Sequence, residues 1–169
     1  MAERIEIASG LKVRRVGIID LGDFYRDLKR WFDFNGYADE GSGGKKFDEL
    51  SYKETKMPGG ALKIELVWEG RKEETPFITY VISIVWLLIA VTDVEVVIDN
   101  KKLKKQKGDF ELRISSYIDK HYTEKRGLFK SLFEKFIAKK TIEDHKREVY
   151  DKTYSLQSYI KEYFDQYMQ

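Results

Sequence analysis

The chain contains no cysteine, which excludes disulfides, thiolate metal sites and thiol nucleophiles. Only two histidines occur, His121 and His145, too few for a histidine metal cluster and carried on different predicted elements. Each reads as a half-exposed structural histidine more readily than as a general base. Prolines number two and hydrophobic residues make up 42%, so this is a folding sequence and not a disordered one. Neither sign of charge dominates: 31 basic against 29 acidic residues leave a net charge of +2, too small for a dedicated nucleic-acid binder unless the basic groups gather on one face. Met1 to Gly10 carries Glu3, Arg4 and Glu6 and lacks the continuous apolar core of a secretory signal, so a cytoplasmic location is expected. No catalytic or cofactor motif survives inspection, and the expected cofactor set is empty.

What is present is a dense mixture of charge and apolar residues. Charged residues make up 36%, and only two Asn and four Gln appear, a balance resembling proteins from hot environments. At 169 residues the chain fits one domain over 1–169, with 1–123 forming a helix plus an antiparallel sheet and 124–169 a C-terminal helical segment. Everything turns on Thr75 to Thr92, which has no formal charge. As a helix it would span roughly 27 Å, near the limit for crossing a bilayer core of about 30 Å. Its composition argues for a strand instead. Ile78, Thr79, Val81, Ile82, Ile84, Val85, Ile89 and Val91 are β-branched, with Phe77, Tyr80 and Trp86 among them. From Ile84 to Val91 both faces of such a strand are apolar, so something other than solvent is expected on each side.

Around that run the remaining elements follow from periodicity. Ile5, Ile7, Leu11, Val13 and Val16 alternate with charged residues on either side of Ser9-Gly10, which predicts one broken or two short strands. Asp20 can cap a helix with Leu21, Phe24, Leu28, Trp31 and Phe32 on one face, stopped by Gly36. Phe47 to Lys56 and Ala61 to Arg71 form a hairpin turned at Pro58-Gly59-Gly60, its second strand facing Leu62, Ile64, Leu66 and Trp68 one way. The uncharged run follows, then a tight step at Thr92-Asp93, a short strand to Asp99, a lysine-rich loop and a strand from Asp109 to Tyr122. Five consecutive strands joined in this way make an antiparallel meander. Thr123 can cap an amphipathic helix in which Leu128, Phe129, Leu132, Phe133, Phe136 and Ile137 oppose a basic face. Thr141 with Asp144 is a capping box for a last helix running to about Met168, whose seam Ile142, Val149, Leu156, Tyr163 is interrupted by Lys146 and Thr153. The predicted fold class is α+β: an N-terminal strand and helix, a five-stranded antiparallel meander, and one or two long C-terminal helices packed on the sheet.

Short motifs give little chemistry. Gly41-Ser42-Gly43-Gly44-Lys45 fails as a phosphate-cradling loop, because Asp39 and Lys46 stand where the motif needs Gly and Ser or Thr; it reads as a flexible or engineered linker. Asp99-Asn100-Lys101 with Asp93 has the spacing of a metal-dependent nuclease but reads better as turn chemistry, and Glu54-Thr55-Lys56 with Asp48 has the same defect. The sequence leans away from an enzyme. Candidate interaction residues are Tyr150, Tyr154, Tyr159, Tyr163 and Tyr167 on the last helix and Lys101, Lys102, Lys104, Lys105 and Lys107 in the lysine loop.

The stretches DFYRDLKRWFDFNGY (Asp23 to Tyr37) and TDVEVVIDNKKLKKQKGDFELRISSYI (Thr92 to Ile118) resemble an uncharacterised group of short archaeal proteins over about a quarter of the chain. The resemblance implies no activity and no site residues. It does imply a strand for Tyr80 to Val91, where that group alternates charges; Ser83, Val85 and Leu87 depart from the pattern. The element order also resembles the helix-grip architecture of START-like proteins, which hold apolar ligands between sheet and helix, an analogy of order alone. The leading expectation is a non-enzymatic interaction or assembly module that self-associates through the tyrosine-rich helix or the spare sheet face. A hydrophobic-ligand binder is the alternative. Contact with a membrane surface through the lysine loop and the basic amphipathic helix is a third reading, and nucleic acid is an unexpected partner.

Overall fold

A computed structural model describes residues 2–37, 47–121 and 140–169. The uncharged run begins with the last residue of β3 and a turn at Pro76 and Phe77, and from Ile78 to Thr92 it forms most of β4 (Ile78–Ile98). Its neighbours are β3 (Leu62–Thr75) on one side and β5 (Lys101–His121) on the other, with β2 (Phe47–Lys56) and β1 (Ala2–Ile19) at the two edges. The order β1-β5-β4-β3-β2 is antiparallel throughout, a meander of four strands whose last member pairs with the first strand of the chain. Among the described residues two helices, α1 (Leu21–Phe34) and α2 (Ile142–Tyr167), complete the α+β architecture. Among the described residues no helix is long and apolar enough to cross a membrane.

Two sequence expectations need correction. Asp93 to Asp99 is not a separate strand, because β4 runs on through Thr92 after a bulge: Ile89 pairs with Asp109 and Thr92 with Lys107, leaving Ala90 and Val91 opposite Gly108. Ala90 takes up the extra length at φ 55. The lysine-rich segment is likewise a strand and not a loop, pairing Lys101 with Ile98 through Lys107 with Thr92. Backbone pairing across a two-residue turn at Asp99 and Asn100, both at positive φ, overrides the composition there.

Strand alternation places Ile64, Leu66 and Trp68, then Tyr80, Ile82, Ile84, Trp86 and Leu88, then Phe110, Leu112, Ile114 and Ile118 in one buried layer. The helices cover that layer. Phe24 of α1 meets Trp86 at 5.3 Å, Tyr25 meets Trp68 at 4.8 Å and Phe32 meets Trp68 at 6.2 Å between ring centroids. Helix α2 lies over β1 and β5, where the hydroxyl of Thr153 donates to the Val149 carbonyl at 2.6 Å and meets the Ser116 hydroxyl at 2.7 Å, so the residue that interrupts its seam is a satisfied buried polar contact. The two helices run antiparallel: Tyr163 donates to Asp23 at 2.6 Å, Tyr159 to Asp27, and Lys152 to Asn35 at 2.9 Å. The predicted caps are in place, Asp20 accepting from the Asp23 N–H and Thr141 exchanging bonds with Asp144. Beyond α2, Gln169 pairs its N–H and carbonyl with Ile18, each at 2.9 Å.

The opposite face of the sheet carries none of the described helices. It is a lattice of charge pairs, Arg4 with Asp119 at 3.1 Å, Arg14 with Asp109 at 2.6 Å and Arg113 with Glu111 at 2.6 Å, with Tyr117 donating to Glu69 at 3.0 Å. Val85, at the middle of this face, is 42% exposed. The expectation that both faces of the uncharged strand are covered therefore holds for one face only among the described residues.

Gly70 admits α1 close to the sheet, since a Cβ there would lie 2.5 Å from a Phe32 ring carbon and 3.0 Å from the Tyr37 carbonyl oxygen. Gly70→Ala is expected to lower stability by about 1–3 kcal/mol through forced displacement of the buried Phe32 ring. Ala90→Gly relieves a left-handed backbone at an exposed position, so it is expected to be neutral or stabilising by up to about 1 kcal/mol. Urea midpoints measure both, and a Gly70→Ala protein as stable as the parent would refute the close approach of α1.

Candidate ligand cavity

Where α1 begins, the helix does not close fully on the sheet and leaves a cavity of about 370 Å³. Its floor is the inward row of β3 and β4, namely Leu62, Ile64, Leu66, Trp86, Leu88 and Val91. The β4 bulge is responsible for the last of these, because without the extra residue at Ala90 the strand's alternation would send Val91 to the opposite face. Leu21 and Tyr25 of α1 form the roof and Tyr52 of β2 one side. Asp93 and Gln106, at the base of the β4–β5 ribbon, close the far end.

Hydrogen bonding fixes this frame. Gln106 accepts from the Leu21 N–H at 3.0 Å and donates to Asp93 at 3.1 Å, tying the first turn of α1 to the ribbon with both ends of one amide. Gln106 and Lys104 together hold the Asp93 carboxyl below its ordinary range. One carboxylate oxygen of Glu49 accepts from Tyr25 at 3.0 Å and from the Trp68 indole at 3.2 Å. Burial, and then Glu49, push the Tyr25 hydroxyl up to about 12. Tyr52 donates to Glu54 at 2.7 Å, which raises its pKa as well. The exception among these side chains is Trp86: its residue forms part of the floor but is wholly buried, its indole nitrogen is closed off from water, and among the described residues that N–H has no hydrogen-bond partner. Leaving such a donor unpaired costs about 1–3 kcal/mol.

A second polar cluster lies at the start of α2. Tyr80 and His145, both buried, meet at 2.5 Å between the hydroxyl oxygen and Nδ1. Burial first, and then Lys140, hold His145 below its ordinary pKa, which favours the neutral imidazole, and the Tyr80 hydroxyl also lies 3.4 Å from Glu148. Around them, Lys140 pairs with Glu148 and with Glu74 at 3.5 Å, and Lys72 reaches Glu74 at 3.3 Å and Glu148 at 3.7 Å. Burial pushes Glu148 up, but Lys140 outweighs it and the carboxyl ends below its usual range. Buried His145 departs from the half-exposed expectation; exposed His121 meets Thr79 at 3.1 Å.

The five tyrosines singled out by sequence do not share one face. Tyr159 and Tyr163 turn inward to carboxylates of α1, whereas Tyr150 and Tyr154 stack on each other at 4.4 Å on the surface and Tyr167 is half exposed. Lys101, Lys102, Lys104 and Lys107 are exposed on the ribbon and Lys105 is half buried; Lys104 pairs with Asp93 at 3.0 Å and Lys102 with Glu95 at 3.7 Å. Asp93 and Asp99 are separated by roughly 20 Å of extended strand, too far to share a metal ion. The Gly41–Gly44 segment and the basic helix from Leu128 to Ile137 lie outside the described residues. Sequence periodicity did place Leu62, Ile64 and Leu66 on one face but gave no sign that a cavity lay over them. Comparison with protein-family models, with curated proteins and with solved structures finds no match.

The buried Tyr80–His145 pair sets a pH dependence. Below about pH 6.5 the unfolded chain protonates this histidine while the fold resists, so the unfolded state binds more protons and stability falls as pH drops. Glu148, lowered in the fold, adds loss in the same direction below about its ordinary value of 4.5. His145→Gln is expected to flatten the slope of unfolding free energy between pH 7 and 5, a slope of up to about 1.4 kcal/mol per pH unit in the parent. Identical slopes in the two proteins, from denaturant melts, would contradict the assignment.

Proposed function

We propose that this chain binds an apolar small molecule in the cavity between the first turns of α1 and the sheet. The observation that carries the reading is the pocket of about 370 Å³, open to solvent, whose floor is carbon surface from Leu62, Ile64, Leu66, Trp86, Leu88 and Val91. An apolar occupant would remove that surface from water, which is favourable in proportion to the area covered. Pockets of this volume with mostly apolar linings are the usual form of small-molecule sites. The helix-grip order of elements agrees with this reading by analogy.

A second reading, self-association, has one observation in its favour: Val85, with Val67 and Leu87 beside it, leaves apolar surface at the centre of the charge-paired sheet face. Sedimentation at high protein concentration separates the two, since a strict monomer that still binds apolar probes supports the first alone.

The ligand reading is tested by thermal melts with naphthalene-sized apolar probes. A probe present at 100 times its dissociation constant stabilises by about 2.7 kcal/mol, which for a chain of this size is a shift on the order of 5–10 °C. Leu62→Trp, which fills the cavity from its floor, is expected to abolish the shift while keeping a cooperative melt. If no probe in the panel moves the midpoint of the parent protein, the reading fails.

A further inference from the structure

The β4–β5 ribbon runs on past the rest of the sheet. Leu62 of β3 pairs with Val91 and Ile19 of β1 with Gln106, and beyond them no third strand flanks the ribbon among the described residues. Five further pairs follow, Val94 with Lys105 through Ile98 with Lys101, a projection of roughly 15 Å. A two-stranded ribbon standing alone is marginal in water.

Cross-strand partners share a face, so the register gives this projection two unlike sides. The side it shares with the pocket is neutralised within itself, Lys104 pairing with Asp93 at 3.0 Å and Lys102 with Glu95 at 3.7 Å, and its one aliphatic side chain is Val97. The other side carries Val94, Val96 and Ile98 of β4 with Leu103 of β5, all at least partly exposed and Leu103 by 42%. Its cations are Lys101, Lys105 and Lys107; no acidic residue of the ribbon pairs stands on this side, and none of the three lysines is ion-paired among the described residues.

We infer that this side of the ribbon docks on a bilayer surface bearing anionic headgroups, with the four aliphatic side chains at the boundary of headgroups and acyl chains and Lys101, Lys105 and Lys107 against the headgroup charge. Charge disfavours a second copy of the same side, which would set three lysines against three lysines. Nucleic acid would meet the lysines but hold the aliphatic row against phosphate, and residues 92–107 contain neither arginine nor an aromatic ring to read a base or stack on one. The pocket opens on the opposite side of the sheet, so this docking does not depend on the ligand reading.

Co-sedimentation of the full chain with sucrose-loaded vesicles tests it, using phosphatidylcholine alone and phosphatidylcholine with about a third phosphatidylserine. Binding is expected to be at least about tenfold tighter to the mixed vesicles and to weaken between about 50 and 500 mM salt. Each lysine at such a surface contributes about fivefold, so combining Lys101→Gln, Lys105→Gln and Lys107→Gln is expected to lose on the order of a hundredfold. Leu103→Ser is expected to weaken binding by about tenfold, whereas Val97→Ser, on the neutralised side, leaves it unchanged. Trp31, Trp68 and Trp86 are all buried, so Leu103→Trp adds an exposed emitter whose fluorescence is expected to shift to the blue on the mixed vesicles. If the lysine variant does not fold, the salt dependence of the parent and the Leu103→Trp shift decide. Absence of binding to the mixed vesicles at low salt, a lysine variant that binds like the parent, or equal losses from Val97→Ser and Leu103→Ser would overturn the docking. So would retention on duplex DNA, without vesicle binding, that depends on the lysines and is indifferent to Leu103→Ser.

Discussion

Pairing of the β4 backbone with β3 on one side and β5 on the other is the constraint from which the rest follows. The strand is uncharged over most of its length, so it cannot face water on both sides, and its amides need partners wherever water is excluded. Antiparallel neighbours in register from Thr79 to Leu88 supply those partners and place Tyr80, Ile82, Ile84, Trp86 and Leu88 on a single face. Each buried side chain of this kind contributes roughly 1.5–3 kcal/mol. That face in turn demands a cover. The amphipathic stripes of α1 and α2 provide it, each lying on a different pair of strands and joined to each other by tyrosine-to-carboxylate and lysine-to-asparagine bonds.

The same arrangement accounts for the cavity. Helix α1 comes close to the sheet at Gly70, where the missing side chain admits the Phe32 ring, and its other end is held by Gln106 through the N–H of Leu21. Phe24 and Tyr25 pack on Trp86 and Trp68 between these points, and the pocket opens beside them at the first turn of the helix. The bulge at Ala90 rotates Val91 into the gap and starts the ribbon, so one local irregularity shapes both the floor and the wall. What remains is an open pocket with an apolar floor and a polar end at Asp93 and Gln106.

The two faces of the sheet solve opposite problems. Toward the helices, polar groups are few and mostly satisfied, as with Thr153 and Ser116 or Tyr80 and His145, the Trp86 N–H being the exception among the described residues. On the other face, alternation sends out arginines and carboxylates, Arg4 and Arg14 of β1 pairing across to Asp119 and Asp109 of β5, with Val85 exposed among them. Exposed pairs of this kind stabilise little individually. Their consistent placement fixes register, because a slip by one residue would carry every one of them into the core.

Local signals sufficed for the α+β class, the strand at Thr75 to Thr92, the caps at Asp20 and Thr141, the stop at Gly36 and the turn at Pro58 to Gly60, since each depends on periodicity or on the conformational preference of a residue or two. They misjudged the lysine-rich segment, whose composition says loop while cross-strand pairing with β4 makes it strand, and they divided β4 where a bulge only bends it. They also grouped five tyrosines by spacing, although two of them answer to carboxylates on α1 that lie far away in the chain. The cavity was illegible for the same reason. Which residues point inward is a property of each strand's own alternation, and the sequence alone determined it. Whether the helix above them closes or stands off depends on contacts at Gly70 and Gln106, which are remote in sequence and exist only once the chain has folded.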